Sequence, residues 1–329
     1  MKILVTAPYN KSSLNELIES GHEVIYKPWK ERGQPYNSKE MSELINKNSI
    51  EGIIAEIDEV NANVIENSPL LNFIGICRAN PVNVDIDVAN KKNIPVFNTP
   101  ARNAQAVTEL LISNLISFYR NIIPSNTFVR ENYWTESNTR PYLKFRGNEV
   151  AGKTIGFVGF GAVGQTVANI LKNFPSDIQY YDPFVTNVDS NYKNVELEEL
   201  FKTSDIVSIH LPVNDSTRNL IDKRLIESMK SDAVFVNTAR SAVVDYEALY
   251  NVLSQEQIRG AILDVFDNEP PKELETKLIS LSNVLATPHI AGASYEVENH
   301  HSRIMNNNLF SWFESGNANN IFNRKNITL

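Results

Sequence analysis

Short apolar runs alternate with stretches of helical periodicity along almost the whole chain. In the first hundred residues the apolar runs predict strands at Lys2–Thr6, Glu23–Tyr26, Gly52–Ala55, Phe73–Cys77 and Pro95–Phe97. Helices are predicted between them, among others at Ser12–Ser20, Ser38–Asn46 and Asp85–Lys92. A long helix from Asn103 to Tyr119 follows, with Asn103 as its cap. The pattern then breaks. Ser125–Val150 is irregular and aromatic, with Tyr133, Trp134, Tyr142 and Phe145 among Arg130, Arg140 and Arg146. Such a segment is expected to pack as an arm on a partner subunit or a neighbouring domain. Alternation resumes with strands at Thr154–Val158, Ile178–Tyr181, Ile206–Ile209, Ala233–Asn237, Gly260–Val265 and Val284–Ala286. A final helix, Tyr295–Phe313, has no strand after it and is left to pack back on the first half. Strand–helix alternation of this kind predicts an α/β protein with two doubly wound parallel sheets, the first with the strand count of a flavodoxin-like fold.

One junction carries chemistry. The strand Thr154–Val158 runs into Gly159-x-Gly161-x-x-Gly164, then into an apolar helix from Val163 to Phe174. The next strand ends at Asp182, 18 positions after Gly164. Gly159 permits the tight turn, Gly161 lets a pyrophosphate approach the backbone, and Gly164 lets helix and strand pack closely. The helix start offers free N–H groups and a partial positive charge to phosphate. Asp182 can accept from an adenosine ribose and would repel a 2′-phosphate, so NAD is expected rather than NADP. The second sheet is therefore read as a Rossmann NAD-binding domain.

Composition narrows the function classes without choosing one. At 329 residues the chain is long enough for two domains, and its net charge of −8 gives no electrostatic footprint for nucleic acid or an anionic membrane. It contains no apolar stretch of membrane-spanning length, and the opening MKILVTAP reads as a strand rather than a signal peptide. The single cysteine, Cys77, excludes an intramolecular disulfide and a cysteine-cluster metal site. A cytoplasmic protein with no metal, nucleic-acid or membrane partner is the expectation.

In an open α/β sheet ligands sit beyond the carboxyl ends of the strands, which makes the strand ends a targeted search. The strand Ala233–Asn237 is followed by Thr238-Ala239-Arg240, Gly260–Val265 by Phe266-Asp267-Asn268-Glu269-Pro270, and Val284–Ala286 by Thr287-Pro288-His289. Arg240 can hold a carboxylate bidentately and polarise a neighbouring carbonyl. His289 is a natural acid–base near neutral pH, and Glu269 beside it would orient the ring and stabilise the imidazolium.

These motifs, GKTIGFVGFGAVG, YYDP, DIVSIHLP, VFVNTARSAVVD, ILDVFDNEP and TPHIAGAS, make the chain resemble the D-isomer-specific 2-hydroxyacid dehydrogenases over nearly its whole length. The resemblance implies Arg240, Glu269 and His289 as catalytic residues, and Asp264 as a contact to the nicotinamide carboxamide. It implies Leu211, Thr238 and Ala239 lining the nicotinamide pocket, and Ala162 and Val163 covering the pyrophosphate. It also implies a discontinuous substrate domain from residues 1–101 and 296–329, an NAD-binding domain from 102–295, an active site between the two, and a homodimer. The expected reaction is interconversion of a small 2-oxo acid and its D-2-hydroxy acid with NAD(H), on a phosphoglycerate-type or hydroxypyruvate/glyoxylate-type substrate. Two alternatives stay open: an NAD(H)-sensing scaffold like the corepressor branch, and a phosphite-type dehydrogenase. Formate enzymes of the family pair the histidine with glutamine, so Glu269 argues against that case.

Two departures bear on specificity. The family's substrate loop is usually glycine-rich, whereas here it reads Arg78-Ala79-Asn80-Pro81-Val82-Asn83. Asn80 can take positive φ in place of glycine, Pro81 removes a backbone donor, and Arg78 adds charge for a phosphate or second carboxylate or makes a salt bridge. Arg78, Ala79 and Asn80 are the expected substrate-binding residues of this loop. Ser241 replaces a common glycine and is expected to cap the next turn. Of the remaining histidines, His300 and His301 are expected on an exposed helix face.

Overall fold

The computed structural model describes residues 1–186 and 188–328. The chain divides into two compact units, one from Met1–Asn103 with Ser294–Leu329, the other from Ala104–Ala293.

The first unit is built on five parallel strands: β1 Lys2–Val5, β2 Glu23–Tyr26, β3 Gly52–Ala55, β4 Phe73–Ile76 and β5 Val96–Asn98, in the order β2-β1-β3-β4-β5. Successive side chains of a strand point to opposite faces, and on β1, β3 and β4 both faces are covered, which is why these strands read as apolar runs, whereas the edge strand β2 exposes Glu23 and Tyr26. In β1, Leu4 enters a core with Met41, Ile45, Ile53 and Ile74, while Ile3 and Val5 enter another with Leu17, Phe97, Met305 and Leu309. The last two come from the helix Glu296–Ser315, so the partnerless C-terminal helix closes one face of this sheet.

The second unit adds β6 Thr154–Val158, β7 Asp177–Tyr181, β8 Lys193–Asn194, β9 Ile206–Ile209, β10 Val234–Asn237, β11 Gly260–Leu263 and β12 Val284–Ala286. All are parallel, in the order β12-β11-β10-β9-β6-β7-β8. Strand order reverses between β6 and β9, the topological switch point at which such sheets bind ligands. One layer packs Ile155 and Phe157 of β6 against Leu111, Leu115 and Tyr119 of the long helix Ala104–Tyr119. The other packs Val158 against Leu200, Phe235 and Leu249. Both sheets are of the α/β doubly wound class that the sequence pattern predicts.

Several local expectations fail for identifiable reasons. A seventh strand, β8, is only two residues long, Lys193 and Asn194, and both are exposed, so it carries no apolar signal. The segment expected to be irregular contains helices at Ile122–Arg130 and Pro141–Lys144. Pro141 sits in the first turn of its helix, where its missing N–H costs nothing, and Phe128 is buried against Phe145 with the Lys144 ammonium 4.5 Å above its ring. His301 is fully buried rather than exposed: its Nε2 meets the Pro8 carbonyl at 2.6 Å and its Nδ1 meets Arg102 Nη1 at 3.1 Å. Among the described residues no helix is long and apolar enough to cross a membrane, and no cluster of three or more His, Cys, Asp or Glu residues is arranged to hold a metal.

Candidate active site

At the switch point, β6 ends in the glycine loop and the helix Ala162–Leu171 begins. Gly159 has φ +87°, and a Cβ there would lie 2.8 Å from the His210 carbonyl oxygen; one on Gly164 would lie 2.8 Å from the Gly159 oxygen. Both positions therefore require glycine on steric grounds. Gly161 differs, because a Cβ on it would meet nothing within 4 Å, so its face is open. The N–H groups of Ala162, Val163 and Gly164 donate to no group among the described residues, leaving an anion-binding helix start. Leu211, beyond the end of β9, reaches Gly159 from the side, its Cδ2 being 3.1 Å from where a Cβ would stand. Asp182 does more than the sequence reading assigned to it. One carboxylate oxygen accepts from Phe160 N–H at 2.7 Å and the other from Phe184 and Val185 N–H at 2.9 and 3.1 Å. It thereby clasps the glycine loop to the end of β7, with acceptor capacity left over.

Further along the same edge, Thr238 at the end of β10 keeps a buried hydroxyl with no partner, a polar atom that a bound carboxamide or ribose would satisfy. The open glycine cradle, the free helix start and this orphaned hydroxyl suit a dinucleotide.

Beyond β10, β11 and β12 the three charged groups come together. His289 Nδ1 lies 2.8 and 3.0 Å from the two Glu269 carboxylate oxygens. A carboxylate can only accept, so Nδ1 carries the proton and Nε2 is the ring's acid–base atom. Nε2 makes no hydrogen bond among the described residues. Glu269 also accepts from Phe266 N–H at 3.1 Å. Burial pushes the Glu269 carboxyl up, but the His289 and Phe266 hydrogen bonds and the charges of His289 and Arg240 outweigh it, and the net displacement is downward. The pair is 46% and 40% exposed at its side chains, too open to contribute much to stability, so its geometry matters for chemistry rather than folding. Arg240 is exposed, with Nη1 donating to the Ala239 carbonyl at 2.6 Å. Its guanidinium forms no ion pair within 4 Å among the described residues, which leaves the fork available to an anion.

Sequence reasoning missed what fixes His289. This residue has φ +53°, a left-handed conformation that needs support. Asp264, 1% exposed, supplies it: its carboxylate accepts from Thr287 Oγ1 at 2.6 Å, Ile290 N–H at 2.9 Å and Ala291 N–H at 2.8 Å. A buried aspartate at the end of an apolar strand was the available signal.

In the first unit, Arg78–Asn83 follows β4. No residue of this loop takes positive φ, so the expected glycine-like role of Asn80 is not seen. The N–H groups of Arg78, Ala79 and Asn80 donate to nothing among the described residues, and Arg78 forms no salt bridge there. The loop is instead held through its carbonyls, Thr99 N–H donating to Arg78 O and Asn98 Nδ2 to Ala79 O. Ser241 opens a short 3-10 turn, Ser241–Val243, in which no side chain caps, so the expected cap is absent.

A doubly wound sheet with a dinucleotide cradle and a histidine–carboxylate pair at one edge defines a nicotinamide-dependent dehydrogenase. Comparison with known proteins specifies the family. Residues 112–291 match the model of the D-isomer specific 2-hydroxyacid dehydrogenase NAD-binding domain. The chain is 47% identical over 312 residues to the Bacillus subtilis (strain 168) protein YoaD, provisionally named a 2-hydroxyacid dehydrogenase, covering 95% of this chain and 91% of that one. It is 36% identical over 266 residues to a hydroxypyruvate reductase of Thermotoga maritima, covering 78% and 85%. An acyclic imino acid reductase solved with NADPH and D-Arg superposes with a TM-score of 0.79 at 30% identity, covering 98% of this chain and all of that one. The chain belongs to the D-isomer specific 2-hydroxyacid dehydrogenase family. It is an oxidoreductase, and NAD(H) is its cofactor.

Proposed function

We propose that this chain is a cytoplasmic enzyme that reduces a small 2-oxo acid to its D-2-hydroxy acid, and catalyses the reverse. The observation that carries the reading is the His289–Glu269 pair, with Nδ1 tied to the carboxylate and Nε2 open, at the carboxyl edge that also bears the glycine loop. NADH, when bound, supplies the hydride to the carbonyl carbon. Ala162, Val163 and Gly164 would hold the pyrophosphate through N–H groups, Asp182 the adenosine ribose, and Leu211, Thr238, Ala239 and Asp264 the nicotinamide end. Arg240 binds the substrate carboxylate and polarises the adjacent carbonyl. His289 Nε2–H donates the proton that turns the carbonyl oxygen into a hydroxyl, while Glu269 stabilises the imidazolium beforehand and orients the ring throughout. In oxidation the neutral ring accepts that proton. In the first unit, the open N–H groups of Ala79 and Asn80 and the unpaired Arg78 suit an anionic substrate, and a second charged group such as a phosphate is what Arg78 adds. Exposed apolar side chains on one segment, Ile123, Val129, Trp134, Tyr142 and Leu143, support a homodimer in which a second copy covers them.

The test is NADH oxidation with pyruvate, glyoxylate, hydroxypyruvate, 3-phosphohydroxypyruvate and four-carbon phosphorylated 2-oxo acids, with chiral analysis of the product. Turnover to the D-isomer supports the reading. NADH binding without turnover on the whole panel would favour the sensing scaffold, and oxidation of phosphite alone would favour the phosphite reading.

A further inference from the structure

The second unit also contains a buried polar line to which neither cofactor nor substrate chemistry assigns a task. Asn237 closes the apolar strand β10 and is fully buried. Its Oδ1 accepts from Ala239 N–H at 3.0 Å, while its Nδ2 donates to the Arg240 carbonyl at 2.9 Å and to the Tyr246 hydroxyl at 3.4 Å. Only this orientation of the amide works, since the reverse would set an NH2 group against the Ala239 N–H. Tyr246 lies in the first turn of the helix Tyr246–Ser254, which Asp245 caps by accepting from Ala248 N–H at 2.9 Å. Burial pushes the Tyr246 phenol above its ordinary range, so the hydroxyl stays neutral and keeps its one proton for donation. That proton goes to the Val265 carbonyl at 2.7 Å. The next peptide N–H, that of Phe266, donates to Glu269, and Glu269 takes His289 Nδ1. Polar contacts therefore run without a break from the backbone of Arg240 to the His289 ring.

We propose that Asn237 and Tyr246 are positioning residues that hold the Arg240 loop and the Glu269 loop in one register. The proposal rests on the roles given above to Arg240, Glu269 and His289. Packing alone does not ask for these two residues: Leu and Phe would fill the same space without burying an amide and a hydroxyl. Their hydrogen bonds go to backbone groups of the two loops that carry charged site residues, and through Asn237 Nδ2 and the Tyr246 hydroxyl they join one loop to the other. A drift of about 1 Å between a carboxylate clamp and a proton donor is enough to cost a large factor in rate.

The experiment is a double-mutant cycle on the full-length enzyme, read by NADH oxidation with the best 2-oxo acid and with folding checked by thermal unfolding. Tyr246→Phe removes one hydroxyl. It is expected to lower kcat about five- to twentyfold with the KM for NADH unchanged. In a Glu269→Gln background the same substitution should cost less than about twofold, because the group it positions is already impaired. Asn237→Ser should raise the KM for the 2-oxo acid about tenfold, and that effect should vanish in an Arg240→Ala background. A wild-type kcat for Tyr246→Phe, or the same fractional loss in both backgrounds, overturns the proposal. If Tyr246→Phe does not fold, the Asn237→Ser cycle decides in the same way. Failure of the underlying reading looks different: His289→Ala and Arg240→Ala would then retain wild-type turnover.

Discussion

Replacing Asp264 with asparagine changes one buried atom and tests how His289 is held. The Asp264 carboxylate accepts three hydrogen bonds from the loop after β12. An asparagine can keep the oxygen that serves Thr287 and Ile290, but its NH2 group then faces the buried Ala291 N–H. One charge-assisted hydrogen bond is lost, at about 1.5–3 kcal/mol, and a buried donor is left unsatisfied, at about 1–3 kcal/mol. The sum is about 2.5–6 kcal/mol. In a domain the size of Ala104–Ala293, each kcal/mol moves Tm by roughly 2–4 °C, so a loss carried by global unfolding lowers Tm by about 5 °C or more. The loop can also release locally, and His289 then leaves φ +53° for an unstrained conformation and takes its ring off Glu269. Local release lowers kcat for reduction by about a hundredfold, whereas a loss carried by global unfolding shows in Tm. The assay is NADH oxidation at saturating substrate alongside a thermal scan. A kcat within threefold of wild type together with a Tm within about 2 °C would refute the argument.

Three further outcomes are expected. Asp182→Asn keeps an acceptor for Phe160 N–H but removes the charge that opposes a 2′-phosphate, so the NADPH-to-NADH ratio of kcat/KM should rise at least about tenfold; an unmoved ratio would remove Asp182 as the cofactor selector. His210, with Nε2 2.8 Å from Ser208 Oγ, has its pKa pushed down to about 4 by burial. Its folded value thus lies below the unfolded value of about 6.5, so its contribution to stability is present above pH ~6.5 and is lost as pH falls toward 4. The gap of about 2.5 units is worth up to about 3 kcal/mol. Unfolding scans from pH 7 to 4 should show a shallower acid decline for His210→Asn than for wild type, and equal slopes would contradict the assignment. Trp134, 61% exposed, should anchor the homodimer, so Trp134→Glu should halve the mass seen by light scattering; a wild type already monomeric at micromolar concentration would dispose of that proposal.

The parts legible in the sequence are those set by local rules. Gly159 and Gly164 announce themselves because no Cβ fits, and the central strands β3, β4, β9, β10 and β11 show as apolar runs because both sheet faces are covered there. Arg240, Glu269 and His289 could be found one by one, since each follows a readable strand, although their meeting depends on strand order. What stayed hidden was tertiary. Nothing near Asp264 in the chain says that its carboxylate will take N–H groups 26 and 27 residues further on. Tyr246 looks like an ordinary helix residue until Val265 is placed beneath its hydroxyl. His301 read as exposed because the helix Glu296–Ser315 is polar on most sides, and its buried side includes Asn306 and Ser302, which bond to Tyr9, Asn10 and Ser13 just after the first strand. Arg78–Asn80 remained unread because an irregular loop has no periodicity to interpret.

The most direct test of the account compares His289→Ala with wild type, measuring NADH affinity by fluorescence and NADH oxidation by absorbance on the same preparations. The account predicts that the variant binds NADH within about threefold of wild type while turnover of the 2-oxo acid falls by about a thousandfold or more, the loss of a general acid placed against a polarised carbonyl. Turnover within tenfold of wild type, with NADH binding intact, would contradict it.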